Sequence, residues 1–527
     1  MIRVRQVKVD IDKKNIDEII LKTAKKLKIK KDNIHDIKIL KEAIDARKKD
    51  DIKYVYEVIV DIPKEDTILK TIKSNDVEKH TQKDYEFNIT GLEKLNAPIT
   101  VVGSGPAGLF LAYMLSIHGY KVVVIERGEP IKERIQRVEE FWQTGKLNTN
   151  SNVQFGEGGA GTFSDGKLNT LVKDKENRCH EVYKIFVEHG ANEDILYASK
   201  PHIGTDVLRN VVQNMRNKII SLGGVFKYNT TLTDVIIENG NLMGIIINDN
   251  EEIKTDNLVL ALGHSARDTF KMLLDRGINL EAKPFAVGVR IMHPQNMINE
   301  SQYGYNKNLP NASYKLTYLA KSNRGVYSFC MCPGGYVVNA SSELNGVVVN
   351  GMSYRDRNSG VANSAIVVTV NPNDFGNNPL DGVEFQKRLE ERAYIVGEGK
   401  IPVQLYKDFK QGKETSKYDE FLPKLKGAER FVNLKEMLPK FISNDLEEAI
   451  EYFGTKIKGF NSDFAILAGV ESRTSSPVKI VRDDNFMTNI NGIYAIGEGS
   501  GYAGGITTSA IDGIKMAEIF AKKYKNN

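Results

Sequence analysis

The sequence predicts an α/β protein, and two segments far apart in the chain are the basis of that prediction. Near residue 99 a short apolar run leads into a glycine-rich loop, and an apolar helical pattern follows it. The C-terminal segment repeats this order of strand, glycine loop and helix. The stretch between them is less regular. Strands that alternate with helices in this way typically build a parallel sheet covered by helices.

Composition fits an ordinary globular protein of two or three domains. The 527 residues are 41% hydrophobic and 27% charged, and no apolar run is long enough to span a membrane. The chain begins with charged residues and has three cysteines, Cys179, Cys330 and Cys332. We therefore expect a cytoplasmic protein without membrane insertion or a disulfide framework.

The net charge of +5 comes mainly from scattered lysine pairs in the N-terminal part, such as Lys25-Lys26 and Lys30-Lys31. We interpret these pairs as solvated surface. Nucleic-acid sites usually add arginines and aromatic residues, and the lysine pairs lack both. The charge pattern therefore does not favour a nucleic-acid partner.

Residues 1–95 predict a small N-terminal α+β (ferredoxin-like) domain with a linker. Val7, Val9 and Ile11 alternate as in a strand, and residues 54–62 alternate again. Asn15 is in position to cap a helix whose apolar residues follow at helical spacing. Residues 64–95 are mostly polar and predict the linker.

The glycine loop that follows the strand at 99–102 has the form of a dinucleotide-binding fingerprint. A helical pattern comes next, and then a second strand that ends in an acid, so the segment is a complete βαβ unit. In such a unit the first glycine permits a tight turn, the second admits phosphates, and the third lets the helix pack closely. The predicted cofactor-binding residues here are Gly103, Ser104, Gly105, Pro106, Ala107, Gly108, Glu126 and Arg127.

The N-terminus of the helix and the acid that ends the second strand indicate how the nucleotide binds. The helix N-terminus offers N–H groups and a positive dipole to a pyrophosphate. Glu126 ends the second strand, where it is expected to accept hydrogen bonds from ribose hydroxyls, and an acid there disfavours the 2′-phosphate of NADP.

The C-terminal strand, glycine turn and helix resemble the second half of the glutathione-reductase-type FAD fold. In that fold an acid after the strand binds the ribityl chain or the pyrophosphate, and the next helix directs its N-terminus to the flavin. This sequence has Glu498 where aspartate is usual. The residues that the resemblance assigns to FAD are Gly497, Glu498, Gly505, Ile506 and Thr507.

Nearly the whole chain resembles a bacterial family of uncharacterised FAD-dependent dehydrogenases. The resemblance lies in residues 43–48, 155–167, 288–295, 329–335 and 471–477, with Ala43 where serine is common. It implies a Rossmann-like two-part FAD-binding domain, formed by residues 96–280 and 456–527. An inserted α+β substrate domain, residues 281–455, completes the expected organisation.

The glycine-rich stretch at 156–166 is expected to lie against the flavin or its pyrophosphate, because glycines let the backbone pass close to a ring. The alternative is a mobile surface loop. The residues predicted to contact the cofactor here are Gly158, Gly159, Ala160 and Gly161, together with Gly263 at the end of another apolar strand.

Four residues of the insertion are candidates for catalysis. Arg290 is a candidate to bind a substrate anion, and His293 to donate a proton, although three residues apart on a regular strand they face opposite ways. Either could instead be structural. Cys330 and Cys332 are expected on one face of a strand, but C-x-C spacing makes a strained disulfide, so inert buried thiols are the alternative.

Two further residues near the flavin have two interpretations each. Arg473 is predicted either to lie over the pyrimidine edge of the flavin or to join the two domains by a salt bridge. His264 follows the strand that ends at Gly263, and a structural role is favoured for it.

The sequence thus predicts an FAD-dependent oxidoreductase that transfers hydride through flavin N5 to or from a small molecule. Only the unit around residues 103–108 combines strand, glycine loop, helix, second strand and terminal acid, so NAD(P)H is expected to bind only transiently. The alternatives are an FAD-binding RNA-modifying or RNA-associated protein and a flavin sensor without turnover.

Overall fold

The computed structural model describes residues 1–81, 83–170, 172–305 and 309–526. Its N-terminal unit is an antiparallel sheet with strand order β2-β3-β1-β4 and two helices, the element order of a ferredoxin-like domain. The Asn15 side chain caps the first helix by accepting from Glu18 N–H at 2.8 Å. Part of the predicted linker is structured as α2 and β4. The elements are β1 (Ile2–Asp10), α1 (Ile16–Leu27), β2 (Asp36–Asp45), β3 (Lys53–Asp61), α2 (Glu65–Thr71) and β4 (Val77–Lys79).

The next part of the chain forms a parallel five-stranded sheet, as predicted for a Rossmann-like domain. Its order is β24-β11-β5-β6-β7, so the C-terminal strand β24 (Ile493–Ala495) lies beside strands from the first half of the chain. A small antiparallel sheet of β8, β9 and β10 is attached to it. The elements are β5 (Ile99–Val102), α3 (Pro106–Ile117), β6 (Val122–Ile125), α4 (Ile131–Thr144), α5 (Arg178–Glu188), α6 (Thr205–Ser221), β7 (Val225–Lys227), β8 (Leu232–Glu238), β9 (Asn241–Ile247), β10 (Glu251–Lys254), β11 (Leu258–Leu260) and α7 (Arg267–Asp275).

The insertion is built on a seven-stranded sheet of order β14-β15-β18-β13-β22-β19-β21. Its apolar side packs against α12 and forms a core of its own. The elements are β12 (Leu280–Ala282), β13 (Phe285–Pro294), α8 (Gln295–Tyr303), β14 (Thr317–Leu319), β15 (Gly325–Cys332), β16 (Tyr336–Asn339), β17 (Val349–Met352), β18 (Val361–Val370), α9 (Pro372–Phe375), α10 (Asp381–Gly397), β19 (Ile401–Leu405), α11 (Tyr406–Gln411), β20 (Leu425–Lys426), β21 (Glu429–Phe431), α12 (Lys440–Gly454) and β22 (Ile466–Glu471).

The chain returns to the parallel sheet later than the pattern predicts. Strand β22 falls in the predicted second half of the flavin domain, yet it pairs with β13 and β19 of the insertion. The two segments in which the chain passes from one lobe to the other lie side by side, as the antiparallel pair of strands β12 and β23. The last elements are β23 (Val478–Ile480), β24 (Ile493–Ala495) and α13 (Ile506–Lys523). The domain boundaries remain a prediction.

Helix α3 is buried on nearly every side because it packs between the parallel sheet and α13. The contact is close: a Cβ on Gly513 would lie 2.3 Å from the Ala107 carbonyl oxygen. Neither of these helices, nor any other in the described ranges, combines the length and apolar character that crossing a bilayer requires.

A buried ion cluster joins the two lobes. The Glu390 carboxylate of α10 accepts from Arg267 of α7 at 2.7 Å and from Arg473, just after β22, at 2.6 Å. All three residues are at most 7% exposed. Burial would raise the pKa of Glu390, but the two guanidinium groups outweigh it and hold that pKa below its usual range.

We expect Glu390→Gln to lower the free energy of unfolding by about 3–5 kcal/mol, because it leaves two buried cations without their shared carboxylate. Urea unfolding measures this change. Asp275→Asn is the matched control: it breaks the exposed 2.7 Å pair with Lys271 and should cost no more than about 0.5 kcal/mol.

The difference between wild type and Glu390→Gln also has an expected pH dependence. Since the folded pKa of Glu390 is depressed, the difference should be complete above the ordinary glutamate value of 4.5 and shrink as the pH falls below it. A difference that stays constant on acidification would show that the carboxylate charge does not join the lobes.

Candidate functional site

A cavity of about 730 Å³ lies between the parallel sheet and the insertion. Most predicted cofactor residues reach it because they follow the carboxyl ends of β5, β6, β11 and β24, which meet at one edge of a parallel sheet. The predicted residues that line it are Gly103, Gly105, Pro106, Ala107, Glu126, Arg127, Gly159, Ala160, Gly161, Gly263, Cys330, Cys332, Arg473, Glu498, Gly505 and Ile506.

The predicted glycines divide into two groups by what surrounds them. A Cβ on Gly103, whose φ is +105°, would lie 2.5 Å from the Ala261 carbonyl oxygen, and one on Gly108 would lie 2.0 Å from the Gly103 oxygen. The fold itself therefore requires these two. At Gly105 the nearest atom is the Gly159 Cα at 3.9 Å, and at Gly263 and Gly504 nothing lies within 4 Å.

Gly105, Gly263 and Gly504 thus border open space in the cavity, and no protein atom explains why they lack a side chain. The backbone conformation of Gly105, φ −68° and ψ −178°, is open to any residue. A bound group that passes close to the backbone would explain why these positions are glycine, because a side chain would occupy its space. Helices α3 and α13 also begin at the cavity, at Gly105 and Gly505, and neither has a side-chain cap.

Glu126 ties the fingerprint to the rest of the site. Its Oε2 accepts from the Ser104 N–H at 2.9 Å and from the Ser104 hydroxyl at 2.7 Å, and its Oε1 accepts from Gly128 and Gly156 N–H at 3.0 Å. The two carboxylate oxygens therefore already accept four hydrogen bonds. The expected contact therefore requires a ribose hydroxyl to donate to a Glu126 oxygen that already accepts from these protein donors.

The glycine-rich stretch lies directly on the fingerprint. Gly158 N–H donates to the Ser104 carbonyl at 3.0 Å, and a Cβ on Gly159 would lie 3.1 Å from the Gly105 Cα. The stretch forms a short 3-10 helix over residues Gly159–Phe163. It packs as one wall of the cavity rather than extending into solvent.

Arg134 of α4 holds this wall in place, and the sequence analysis missed it. Its fully buried guanidinium donates to the carbonyl oxygens of Asn152, Val153, Gly156, Glu157 and Gly159. Burial lowers the pKa of Arg134 to about 9. The only signal in the sequence was an arginine on the apolar side of an otherwise amphipathic helix, with Ile131 and Val138.

Three predicted cofactor residues support the cavity from behind. Ser104 contacts Glu126, the Gly497 N–H donates to Asp512 at 2.9 Å, and the Thr507 hydroxyl donates to the Leu168 carbonyl at 2.8 Å. Gly108 and Gly158 likewise do not line the cavity.

Arg127 and Arg473 line the cavity, but their guanidinium groups are engaged by the protein. Arg127 donates to Asp268 at 2.9 Å and lies over the Phe155 ring. Arg473 donates to Glu390, Ser265 and Ser342, so the interdomain role is the one that the contacts support.

Arg290 is completely buried, and each of its five N–H donors has a partner. Its Nε and one terminal nitrogen bind Glu471 at 2.8 and 3.2 Å, and the remaining donors bind the Cys330 carbonyl, Asn350 and Asn363. It therefore has no donor left for a substrate anion. It positions Glu471 and the Cys330 backbone, both of which line the cavity.

His293 does not join the others at the cavity. Strand β13 stays paired with β18 through residues Phe285–Pro294, so His293 points to the face opposite Arg290. Its ring is fully buried, with Nε2 2.7 Å from the Phe460 carbonyl oxygen, and burial lowers its pKa to about 4. A neutral, enclosed imidazole of this kind has no path to a substrate.

The two cysteines both line the cavity, as residues on one face would, but the strand that carries them is irregular. An extra residue interrupts the pairing of β15 with β18 between Phe329 and Cys332, and Cys330 has φ +42°. Cys330 is exposed in the cavity, whereas Cys332 lies buried in its wall. Although Cys330 is open to the cavity, desolvation by the surrounding wall raises its pKa to about 12, which favours the protonated thiol at neutral pH.

Glu498 lines the cavity beside the start of α13. Burial raises its pKa to about 7, and this rise is opposed by Lys283 and the Gly505 N–H. A carboxyl with this pKa exchanges a proton near neutral pH. His264 also lines the cavity, but burial followed by repulsion from Arg473 and Arg267 lowers its pKa to about 3 and keeps it neutral.

Comparison with known proteins gives three family matches along the chain. Residues 98–283 match the pyridine nucleotide-disulphide oxidoreductase family, and residues 284–474 match the FAD-dependent protein, C-terminal domain-like family. Residues 1–61 match a domain of unknown function. The two longer matches meet where the chain leaves the parallel sheet.

Among individual proteins, an uncharacterized protein of Clostridium beijerinckii is 46% identical over 99% of both chains. The thiamine thiazole synthase of Thermotoga maritima is 25% identical over 35% of this chain and 64% of its own. Among solved structures, the glycine oxidase of Bacillus cereus superimposes with a TM-score of 0.32 and 11% identity, over 81% of this chain and 96% of its own. No activity is transferred from the last two.

FAD fits the residues of this cavity: two uncapped helix N-termini, three glycines that border open space, and a volume within the range of cofactor sites. The family matches name flavin and pyridine-nucleotide domains and give no support to an RNA-modifying role. The chain is therefore an FAD-dependent oxidoreductase, and it belongs to the same family as the Clostridium beijerinckii protein.

Proposed function

We propose that this oxidoreductase transfers hydride between a small molecule and flavin N5 inside the cavity between its two lobes, as a cytoplasmic enzyme. The observation that carries the proposal is the composition of the cavity wall. One side consists of the glycine segments at the carboxyl ends of parallel strands, and the other side comes from β15 and β17 of the insertion. A second ligand that enters from the insertion side therefore meets the cofactor face.

In this proposal FAD lies along the sheet edge. The turn at 103–108 and the N-terminus of α3 hold the pyrophosphate, and the 158–161 wall covers it. Glu126 contacts the ribose by sharing an oxygen with its present donors. Gly505 and Ile506 at the N-terminus of α13, together with Gly263, would hold the ring, since all three line the cavity. Bound FAD supplies a two-electron acceptor and donor at N5.

The residues of the chain then have limited and specific roles. The pocket excludes water through the apolar wall of Phe329, Met331 and Tyr314. Glu498, whose pKa lies near 7, holds or releases a proton at its carboxyl oxygen during turnover. Cys330 presents a thiol rather than a thiolate, so thiol–disulfide chemistry is the weaker variant.

The proposed reductant is NADH or NADPH, bound transiently over the flavin because the chain has a single complete fingerprint. Anaerobic addition of each nucleotide should bleach the flavin absorbance, and a small-molecule acceptor should restore it. If neither nucleotide nor any reduced metabolite bleaches the flavin although dithionite does, the protein is a flavin sensor and the proposed turnover is wrong.

We expect Gly105→Ala to leave the fold intact and to weaken FAD binding at least about tenfold, because its Cβ meets no protein atom closer than 3.9 Å and fills space proposed for the phosphates. Titration of flavin-stripped protein with FAD measures the change, and Gly105→Val should abolish binding. The matched control is Gly325→Ala, which like Gly105 is not in the left-handed region, whose Cβ would meet nothing closer than 3.5 Å, and which lies outside the cavity. Retention of stoichiometric flavin by Gly105→Val would disprove the loop assignment.

We expect the flavin midpoint potential of Glu498→Gln to exceed that of wild type above pH 7. In wild type the carboxyl is ionised there, and a nearby negative charge disfavours electron uptake. Below pH 7 the two proteins should converge. The control is Glu238→Gln, an exposed residue of β8. Equal potentials at all pH values would place Glu498 away from the flavin.

A further inference from the structure

Three cations that line the cavity outnumber the carboxylates with which they pair. We call Lys167, Lys200 and Arg357 the cationic cluster. Asp165 pairs with two of them: it accepts from Arg357 at 2.5 and 3.2 Å, lies 3.9 Å from the Lys167 Nζ, and also accepts from Ser353. One buried carboxylate thus serves two cations, and among the described residues no carboxylate forms an ion pair with Lys200.

The pKa of Lys200 reflects the excess of positive charge within the cationic cluster. Lys200 is exposed to solvent, yet partial desolvation followed by repulsion from Lys167 and Arg357 lowers its pKa. Its ammonium donates a hydrogen bond to the Ser313 hydroxyl at 3.0 Å. The nearby His202 is neutral and adds no further positive charge, because burial lowers its pKa to about 4. A cavity that concentrates uncompensated cations attracts an anion.

The cluster lies at the end of the cavity where α13 begins. The segment that carries Lys167 is fastened to the first turn of that helix: Thr507 donates to the Leu168 carbonyl at 2.8 Å, and Thr170 bonds Thr508 at 3.2 Å. Lys167 also acts electrostatically on the Cys330 thiol of the opposite wall. The cations therefore border the space between the proposed ring position and the insertion, away from the turn at 103–108.

We propose that the cationic cluster binds an oxyanion group of the reactant that meets the flavin, so that the substrate of this oxidoreductase is a small anion. This inference rests on the proposed function, because it assigns the second ligand of the same cavity. Lys167 and Lys200 act as point charges that hold the anion, and Arg357 is oriented by its two bonds to Asp165. The anionic group is thereby kept at the wall while the rest of the molecule faces the ring.

Two sources share this oxyanion chemistry: the carboxylate of a substrate and the phosphates of a pyridine nucleotide. The test uses flavin-loaded protein titrated with acetate, succinate and benzoate in one arm and with inorganic pyrophosphate and NADPH in the other. Binding is followed by calorimetry and by the perturbation of the flavin absorbance. Saturable binding in the carboxylate arm identifies the substrate anion, and binding in the phosphate arm alone identifies the nucleotide; either result supports the cluster.

The decisive variant is the double substitution Lys167→Gln with Lys200→Gln, which leaves the Arg357–Asp165 pair intact. We expect it to retain flavin and melting temperature and to weaken anion binding at least about tenfold, the loss expected for charge-assisted hydrogen bonds. Lys387→Gln on the exposed side of α10 is the matched control and should bind as wild type does.

Failure of this inference is distinguishable from failure of the proposed function. If wild type binds no anion in either arm, or if the double variant binds as tightly as wild type, the inference is overturned although flavin reduction is unaffected. If the flavin is never reduced yet calorimetry detects cluster-dependent anion binding, the proposed turnover fails and the anion site stands.

Discussion

The buried guanidinium of Arg134 is the interaction on which the candidate site depends. A glycine-rich stretch packed inside a protein leaves backbone carbonyls that must find donors, and Arg134 supplies them to three residues of the stretch and to two residues just before it. Gly156 has to be glycine because a Cβ there would lie 2.4 Å from the Arg134 Cδ. The same stretch then reaches Glu126 and Ser104, so one buried cation connects the wall of the cavity to the nucleotide fingerprint.

A second constraint keeps the two lobes at a fixed separation. The carboxylate of Glu390 lies between Arg267 on one lobe and Arg473 beside the other, and all three charges are out of water. Such a cluster tolerates little displacement, because the buried Arg267 would lose Glu390 if the lobes moved apart.

Much of the nucleotide-binding part could be predicted because its signals are local. The turn at 103–108, the helix after it and the acid at 126 follow one another in sequence, and each residue type has a steric or electrostatic reason. Arg290, His293 and the cysteines were less predictable. Whether Arg290 and His293 can contact a ligand depends on Glu471 and Phe460, which are remote in the chain. The positions of the cysteines depend on a bulge in β15 that no residue pattern indicates.

The sequence by itself determined that the chain forms an α/β nucleotide-binding fold, because adjacent residues carry the backbone requirements of turns and parallel strands, and its resemblance to a known flavin-binding fold identified the nucleotide as FAD. Only the tertiary structure decided which side chains are free to act. It engaged every donor of Arg290, enclosed His293, and brought Lys167, Lys200 and Arg357 to one cavity. Charge balance and burial are sums over residues distant in sequence, so they exist only once the chain is folded.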